Sequence, residues 1–208
     1  ERYIKYLRKK GIHIGEGCCF RFPKSVQIDT TRPSLVSIGS NVDINANFAI
    51  MTHDYSTSVF IHKYNDFINS SGKVEIGNNI YIGRNVTILK GVKIGDNCII
   101  GVGSIVVKSI SSNSVVVGCP GKVVSTLDDY YKKRQHHCIE EAFEYARSIQ
   151  ERFNRRPTIE DFWEEFPLFV NVDDIELPAN ISFKKQLGVA LPEWKKTTVH
   201  DLRVLMTF

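Results

Sequence analysis

The sequence predicts an all-β fold, a parallel β-helix wound from six-residue repeats, with a C-terminal α-helical extension. Three observations carry the prediction. From Ile76 to Ser111, six consecutive blocks of six open on a β-branched aliphatic: Ile76, Ile82, Ile88, Ile94, Ile100 and Val106. Four of them follow it with glycine, at Gly77, Gly83, Gly95 and Gly101. The fifth place holds Ile80, Val86, Val92, Cys98, Ser104 and Ile110, which are small or apolar. An α-helix repeats near 3.6 residues and a simple strand near 2, so neither produces a period of six. A short fixed period marks a solenoid.

Each block reads as a short strand and a corner. The leading aliphatic and its fifth-place companion point inward. The glycine or asparagine near the corner takes backbone angles that cost other residues more. With three blocks per turn, residues eighteen apart stack, Ile76 on Ile94, Ile82 on Ile100 and Ile88 on Val106. Their columns then repeat at the strand spacing of about 4.8 Å.

Ahead of the repeats, residues 2–10 read as a short basic amphipathic helix stopped by Gly11, and 1–11 form a capping segment. Tyr3, Ile4 and Leu7 share a face suited to covering the first coil, since an open solenoid end exposes core and strand edges. Surface binding to anionic lipid is the alternative use of such a helix. The β-helix unit is expected over 12–125. Its first repeats, Ile12 to Asp29, are damaged, and Thr30 to Ser34 make a corner with a short insertion. The pattern resumes at Ile38, Ile44 and Ile50.

At His53 the period stops, and it returns only at Ile76. The inserted loop 53–73 is polar and aromatic, with Tyr55, Phe60, His62, Tyr64 and Phe67. Insertions in solenoids collect on the binding face. Packing on a neighbouring subunit would also explain it. Gly118-Cys-Pro-Gly-Lys then leads the chain out of the solenoid.

Residues 126–208 form a mainly helical extension. Leu127–Phe153 carries Ile139, Ala142, Phe143, Ala146, Ile149 and Phe153 at helical spacing, with Glu151 placed to meet Arg155. A second helix is expected from Pro157-Thr158 to Pro167, capped by Thr158, with Phe162, Trp163, Phe166 and Phe169 on one face. A turn of helix is expected at 183–187.

The bulk numbers narrow the function. A net charge of +4 suits an anionic small ligand and is too small to argue for nucleic acid. Five cysteines, an odd number without a Cys-x-x-Cys pair, read as reduced thiols in a cytoplasm. No apolar run reaches membrane-spanning length, so no stable membrane insertion is expected, and the first residues hold no signal-peptide core. His136-His137-Cys138 has no metal-ligand spacing, because adjacent residues on a helix face different ways.

Asn79-Ile-Tyr-Ile-Gly-Arg-Asn-Val-Thr-Ile, Ile100-Gly-Val-Gly-Ser-Ile-Val, Thr52-His-Asp-Tyr and Val117-Gly-Cys-Pro-Gly-Lys-Val together resemble one family. It is that of the left-handed β-helix, hexapeptide-repeat acyltransferases, and the resemblance covers about residues 12–125. It is closest to the galactoside, maltose and xenobiotic acetyltransferase branch, especially the acetyltransferases of capsule and O-antigen biosynthesis. The resemblance implies an acetyl-CoA-dependent O-acetyltransferase acting on a sugar hydroxyl. It also implies a homotrimer with active sites between subunits, and no metal.

Acetyl transfer to a hydroxyl needs a base, an oxyanion donor and a groove for the thioester. Histidine is the natural base. His53 is the candidate because it stands where the repeat breaks into its one long loop, and it matches the family's base. Asp54 is a candidate to steer its imidazole or to contact the acceptor, or a turn-former. His62 is a candidate acceptor contact. Gly83 and Gly101, stacked eighteen apart, are candidates for close approach of backbone to coenzyme A, although corner geometry alone would also call for glycine. A backbone N–H near the Gly83 corner would hold the oxyanion. The resemblance places Arg84, Val102 and Ser104 beside the pantetheine arm and Lys108 and Lys122 near the nucleotide phosphates. It aligns Asp29 with an acceptor-contacting carboxylate and Tyr81 with the branch's frequent tryptophan. N-acetylation of an amino sugar and a non-catalytic assembly scaffold remain alternatives. A metal-dependent hydratase on the same solenoid would need three histidines converging across subunits, and of the solenoid's histidines His53 is the one whose position marks a site.

Overall fold

The computed structural model describes residues 1–158, 161 and 162. Contacts divide the chain into two compact units, 1–132 and 133–208. The first opens with helix α1 (Arg2–Lys9) and then lays down β1 (His13–Ile14), β2 (Cys19–Phe20), β3 (Gln27–Ile28), β4 (Val36–Ile38), β5 (Val42–Ile44) and β6 (Ala49–Ile50). An excursion follows, made of β7 (His53–Asp54), helix α2 (Thr57–Tyr64) and β8 (Ser70–Ser71). The winding continues through β9 (Val74–Ile76), β10 (Ile80–Ile82), β11 (Thr87–Ile88), β12 (Lys93–Ile94), β13 (Cys98–Ile100) and β14 (Ile105–Val106). It closes with β15 (Ser114–Val117) and β16 (Lys122–Thr126), before helix α3 (Leu127–Phe153).

These strands form three parallel sheets visited in rotation. The first face is β1-β4-β9-β12, the second β2-β5-β10-β13-β15, and the third β3-β6-β11-β14. β16 adds antiparallel to the second face. The register is the one the sixfold period dictates: Ile76 pairs with Ile94, Ile82 with Ile100 and Ile88 with Val106. The leading and fifth-place residues of the six blocks are all buried, Ser104 among them. Strands of two to four residues could not hold a sheet alone. Here each inner strand is paired above and below, and the aliphatic columns fill the interior.

Each coil turns three edges. The first edge lies between the first and second faces, the second between the second and third, and the third between the third face and the first of the next coil. Asparagines in the left-handed region turn the first edge at Asn41, Asn79, Asn97 and Asn113, and the second at Asn47 and Asn85. Their side chains form ladders, Asn79 Nδ2 to Asn97 Oδ1 at 2.8 Å and Asn97 Nδ2 to Asn113 Oδ1 at 3.1 Å. The second-place glycines have a different task. A Cβ at Gly39 would stand 2.4 Å from the Gly77 carbonyl oxygen, so these positions let one coil's backbone rest on the next.

The excursion is more than a loop. β7 and β8 pair antiparallel, His53 opposite Ser71 and Asp54 opposite Ser70, and carry α2 at their tip. Helix α2 ends at Asn65, whose φ of 50° is the left-handed turn that stops a helix. The coil register survives the excursion, with Ile38 pairing Ile76 across it.

Helix α1 caps the coil as its apolar face requires. Leu7 is fully buried, and Tyr3 and Ile4 pack against the core. Helix α3 starts on Thr126, whose Oγ1 accepts the Asp129 N–H at 3.1 Å. In the second unit, Ala146 and Ile149 bury with Phe162, and the Tyr145 and Phe162 rings meet edge to face. Arg155 does not pair with Glu151; its guanidinium holds Asp161 through two bonds of 2.7 Å, because Thr158 and Asp161 fold the chain back on itself. Most of the expected second helix, with Trp163, Phe166 and Phe169, and the turn at 183–187 lie outside the described residues. Among the described residues, no helix is long and apolar enough to cross a membrane.

Candidate active site

The third edge gathers the polar chemistry. In the first coil the chain leaves β3 at Asp29; in the second it leaves β6 at Thr52-His53. Because Ile28 pairs with Ile50, the two exits lie side by side. Asp29 Oδ2 lies 2.6 Å from His53 Nδ1 and also accepts the Thr52 hydroxyl. Its Oδ1 accepts the Thr31 N–H at 2.9 Å and the Thr31 hydroxyl at 2.6 Å. The Asp29 side chain is only 7 % exposed.

Four donors thus converge on one nearly buried carboxylate. Burial raises its pKa, but the hydrogen bonds from Thr31, Thr52 and His53 outweigh that and hold it well below the usual carboxylate range. An ionised carboxylate only accepts, so the proton of the shared bond belongs to His53 Nδ1. That leaves the Nε2 lone pair of a one-third-exposed imidazole available as a base.

Asp54 does not steer the imidazole. Successive residues of a strand point to opposite sides, and the Asp54 carboxylate pairs with Lys90 Nζ and accepts the Ser56 N–H. Lys90 also donates to Ser70 Oγ, the residue opposite Asp54 in the β7–β8 pair. One ammonium from the coil beyond therefore ties both arms of the excursion at its base. Asp29, expected to touch an acceptor, instead holds His53.

The other candidates scatter. Gly83, Arg84, Gly101 and Val102 all lie on the second edge, a different corner of the coil from His53. Gly83 and Gly101 are explained by stacking: a Cβ would stand 2.8 Å from the Val102 nitrogen and 2.7 Å from Val117 Cγ1, respectively. The Gly83 N–H donates to the Ile100 carbonyl at 2.8 Å, which removes it as an oxyanion donor. Ser104 is no ligand contact. It is fully buried in an inward fifth place, and its hydroxyl donates to the Gly101 carbonyl at 2.8 Å. Arg84 and Val102 are exposed, with the Arg84 guanidinium 5.7 Å from the Phe22 ring centroid. Tyr81 points outward from the middle of the second face, between Asp43 and Ile99. His62 is exposed on α2, Lys108 is exposed on the third edge, and Lys122 is exposed on β16.

Thr31, Thr52 and Lys90 were not identifiable as site residues from sequence. Thr52 carried a signal in its place beside His53; the other two stand at outward positions that no period governs.

Comparisons with known proteins identify the family. Residues 73–108 match the family model described as bacterial transferase hexapeptide (six repeats). The chain is 34% identical to YvoF of Bacillus subtilis (strain 168), named as an acetyltransferase, over 63% of this chain and 68% of that one. It is 36% identical to Protein CapG of Staphylococcus aureus, over 61% of this chain and 73% of that one. Against the galactoside O-acetyltransferase of Escherichia coli (strain K12) it is 37% identical and spans 59% of either chain. A solved maltose O-acetyltransferase from Clostridium difficile 630 aligns at a TM-score of 0.43, with 28% identity over 59% of this chain and 73% of that one. The chain belongs to the hexapeptide-repeat acetyltransferases and is an acyltransferase.

Proposed function

We propose that this protein transfers an acetyl group from acetyl-CoA to a sugar hydroxyl, as a step in building a bacterial surface polysaccharide in the cytoplasm. The observation that carries the reading is the Asp29–His53 pair at the one corner where the coil is interrupted. The coil is taken as left-handed, as the family implies. His53 Nε2 removes the proton of the acceptor hydroxyl as its oxygen attacks the thioester carbonyl. The tetrahedral intermediate collapses with loss of the coenzyme A thiolate, which takes up the proton from the imidazolium. Transfer is direct, within a ternary complex, without an acyl-enzyme.

The donor is read as lying along the second edge of a neighbouring copy in a homotrimer. Arg84 and Val102 would flank the pantetheine arm, and Lys108 and Lys122 would stand near the phosphates. What supports this is the separation of the two edges within one chain, which leaves His53 and the pantetheine-flanking residues Arg84 and Val102 on different corners. The sugar acceptor is supported by the likeness to a galactoside O-acetyltransferase. His62 and Tyr81 are assigned to acceptor choice. No metal takes part in the proposed route.

Release of free thiol from acetyl-CoA, followed across a panel of sugars, tests the reading. Wild type is expected to turn over with at least one sugar, and His53→Ala to lose about 10²- to 10⁴-fold in kcat. Turnover that survives the substitution removes His53 from the role.

A further inference from the structure

We propose that the outward face of α1 docks the molecule on an anionic bilayer surface. The argument starts from where the charge sits. Residues 1–11 hold Arg2, Lys5, Arg8, Lys9 and Lys10 against Glu1 alone, a surplus equal to the +4 of the whole chain. The other 197 residues carry twenty-two basic and twenty-two acidic side chains. All of the excess charge is therefore on one two-turn helix at one end of the coil.

The fold also decides which way that charge points. Leu7 is fully buried, and Tyr3 and Ile4 pack on the core. Tyr3 Oη donates to the Val26 carbonyl, and Arg8 is taken up by the Ile14 and Gly15 carbonyls and Glu16. At 100° per residue, Arg2, Lys5 and Lys9 fall on the opposite side of the helix from Leu7, and Lys10 follows at the helix end beside Tyr6. All four are exposed. Tyr6 lies in the same stripe, 46 % exposed, with Lys10 Nζ 5.8 Å from its ring centroid. An amphipathic ring among cations is the composition that suits a headgroup layer.

The apolar side of α1 is already used to close the coil. The helix therefore cannot roll into the acyl region as a free amphipathic helix does. Docking is electrostatic, at headgroup depth, and reversible. A bilayer asks only for a dense patch of one sign on one end of the molecule. A nucleic acid would ask for a surplus of basic residues beyond α1, and the other 197 residues carry none.

Co-sedimentation of the full chain with vesicles tests this. Vesicles of phosphatidylcholine alone are compared with phosphatidylcholine mixed with phosphatidylglycerol. Wild type is expected to pellet with the mixed vesicles only, and to be released by salt. The triple variant Lys5→Gln/Lys9→Gln/Lys10→Gln should bind roughly a hundredfold more weakly, at about fivefold per charge. Lys5→Arg/Lys9→Arg/Lys10→Arg should bind like wild type. Both keep Tyr3, Ile4, Leu7 and Arg8, so their thermal melts should match wild type. A melt lowered only in the glutamine variant would mean the lysines serve folding, and would overturn the proposal. So would pelleting that ignores phosphatidylglycerol, or pelleting that the glutamine variant retains. If a single-stranded oligonucleotide binds through these lysines while mixed vesicles do not, the partner is nucleic acid and the proposal falls.

Discussion

Nδ1 of His53 and Oδ2 of Asp29 stand 2.6 Å apart, although 24 residues separate them in sequence. Two exits from neighbouring coils meet at one edge, and the first supplies the carboxylate that orients the second's imidazole. Thr31 and Thr52 complete the carboxylate's acceptor sites, so its direction is fixed from three sides. Preorganisation of this kind places the base before the acceptor arrives.

Asp29→Asn tests the orientation. An amide can donate where the carboxylate only accepts, which lets the imidazole take the opposite tautomer and protonates Nε2. The expected result is a fall in kcat of about 10²- to 10⁴-fold. KM for acetyl-CoA should stay within about twofold, because Arg84 and Val102, assigned to the pantetheine arm, lie on another edge. Steady-state kinetics with saturating acceptor reads both. A rise in KM at unchanged kcat would make Asp29 a binding residue instead.

The same carboxylate should leave a mark on acid stability. Its folded-state pKa is depressed, through hydrogen bonds that outweigh burial. Such a group adds stability that is present above the unfolded value near 3.9 and lost as pH falls toward the folded one. Urea unfolding followed from about pH 5 to about pH 2 should therefore show wild type weakening as acid is added. Asp29→Asn should lose stability at the upper end, by about 1–2 kcal/mol, and weaken less on acidification. Curves that stay parallel over the whole range would count against the carboxylate's ionised role.

The coil was legible in the sequence because its information is local. Ile76, Ile82 and Ile88 specify both their own burial and their partners eighteen residues on, since the spacing of inward places is the winding itself. The site was half legible. His53 announced itself by ending the period. Asp29 was placed near an acceptor and not on the imidazole, because the first coils are irregular. Gln27 pairs with Ala49 and Ile28 with Ile50, twenty-two apart where the regular coils stack at eighteen. Ser104 shows the opposite failure: its fifth-place position already pointed inward, and the family resemblance drew it out to a ligand it cannot reach. Helix α2 gave no period at all, being two turns of Thr, Ser, Val, Phe, Ile, His, Lys and Tyr held at its base by other residues.

Lys90 is expected to act through His53 as a positioning residue. Its ammonium joins Asp54 and Ser70, opposite one another at the neck of the excursion. Lys90→Met keeps the stem and removes the tie. The half-exposed pair contributes little to stability, about 0.5–1 kcal/mol. Loosening the neck should lower kcat by roughly three- to tenfold and leave KM for acetyl-CoA unchanged. Hydrogen exchange at the β7–β8 amides should quicken in Lys90→Met and recover in Lys90→Arg. Exchange that does not change would show that the neck is held without Lys90.

Asn97 tests what the corner asparagines do. Its φ of 56° lies in the left-handed region, and its side chain accepts from Asn79 at 2.8 Å and donates to Asn113 at 3.1 Å. Two effects are therefore present, a backbone that L residues avoid and a ladder that links coils. Asn97→Gly removes the ladder bonds and keeps the backbone easy, at a cost of about 1–2 kcal/mol. Asn97→Ala removes the bonds and adds the left-handed penalty, for about 2–4 kcal/mol in all. Urea unfolding should then rank wild type above Asn97→Gly, and Asn97→Ala last. Alanine and glycine at equal stability would mean the corner relaxes out of the left-handed region once the ladder is gone. Glycine matching wild type would mean the ladder contributes nothing and the turn is a matter of backbone alone.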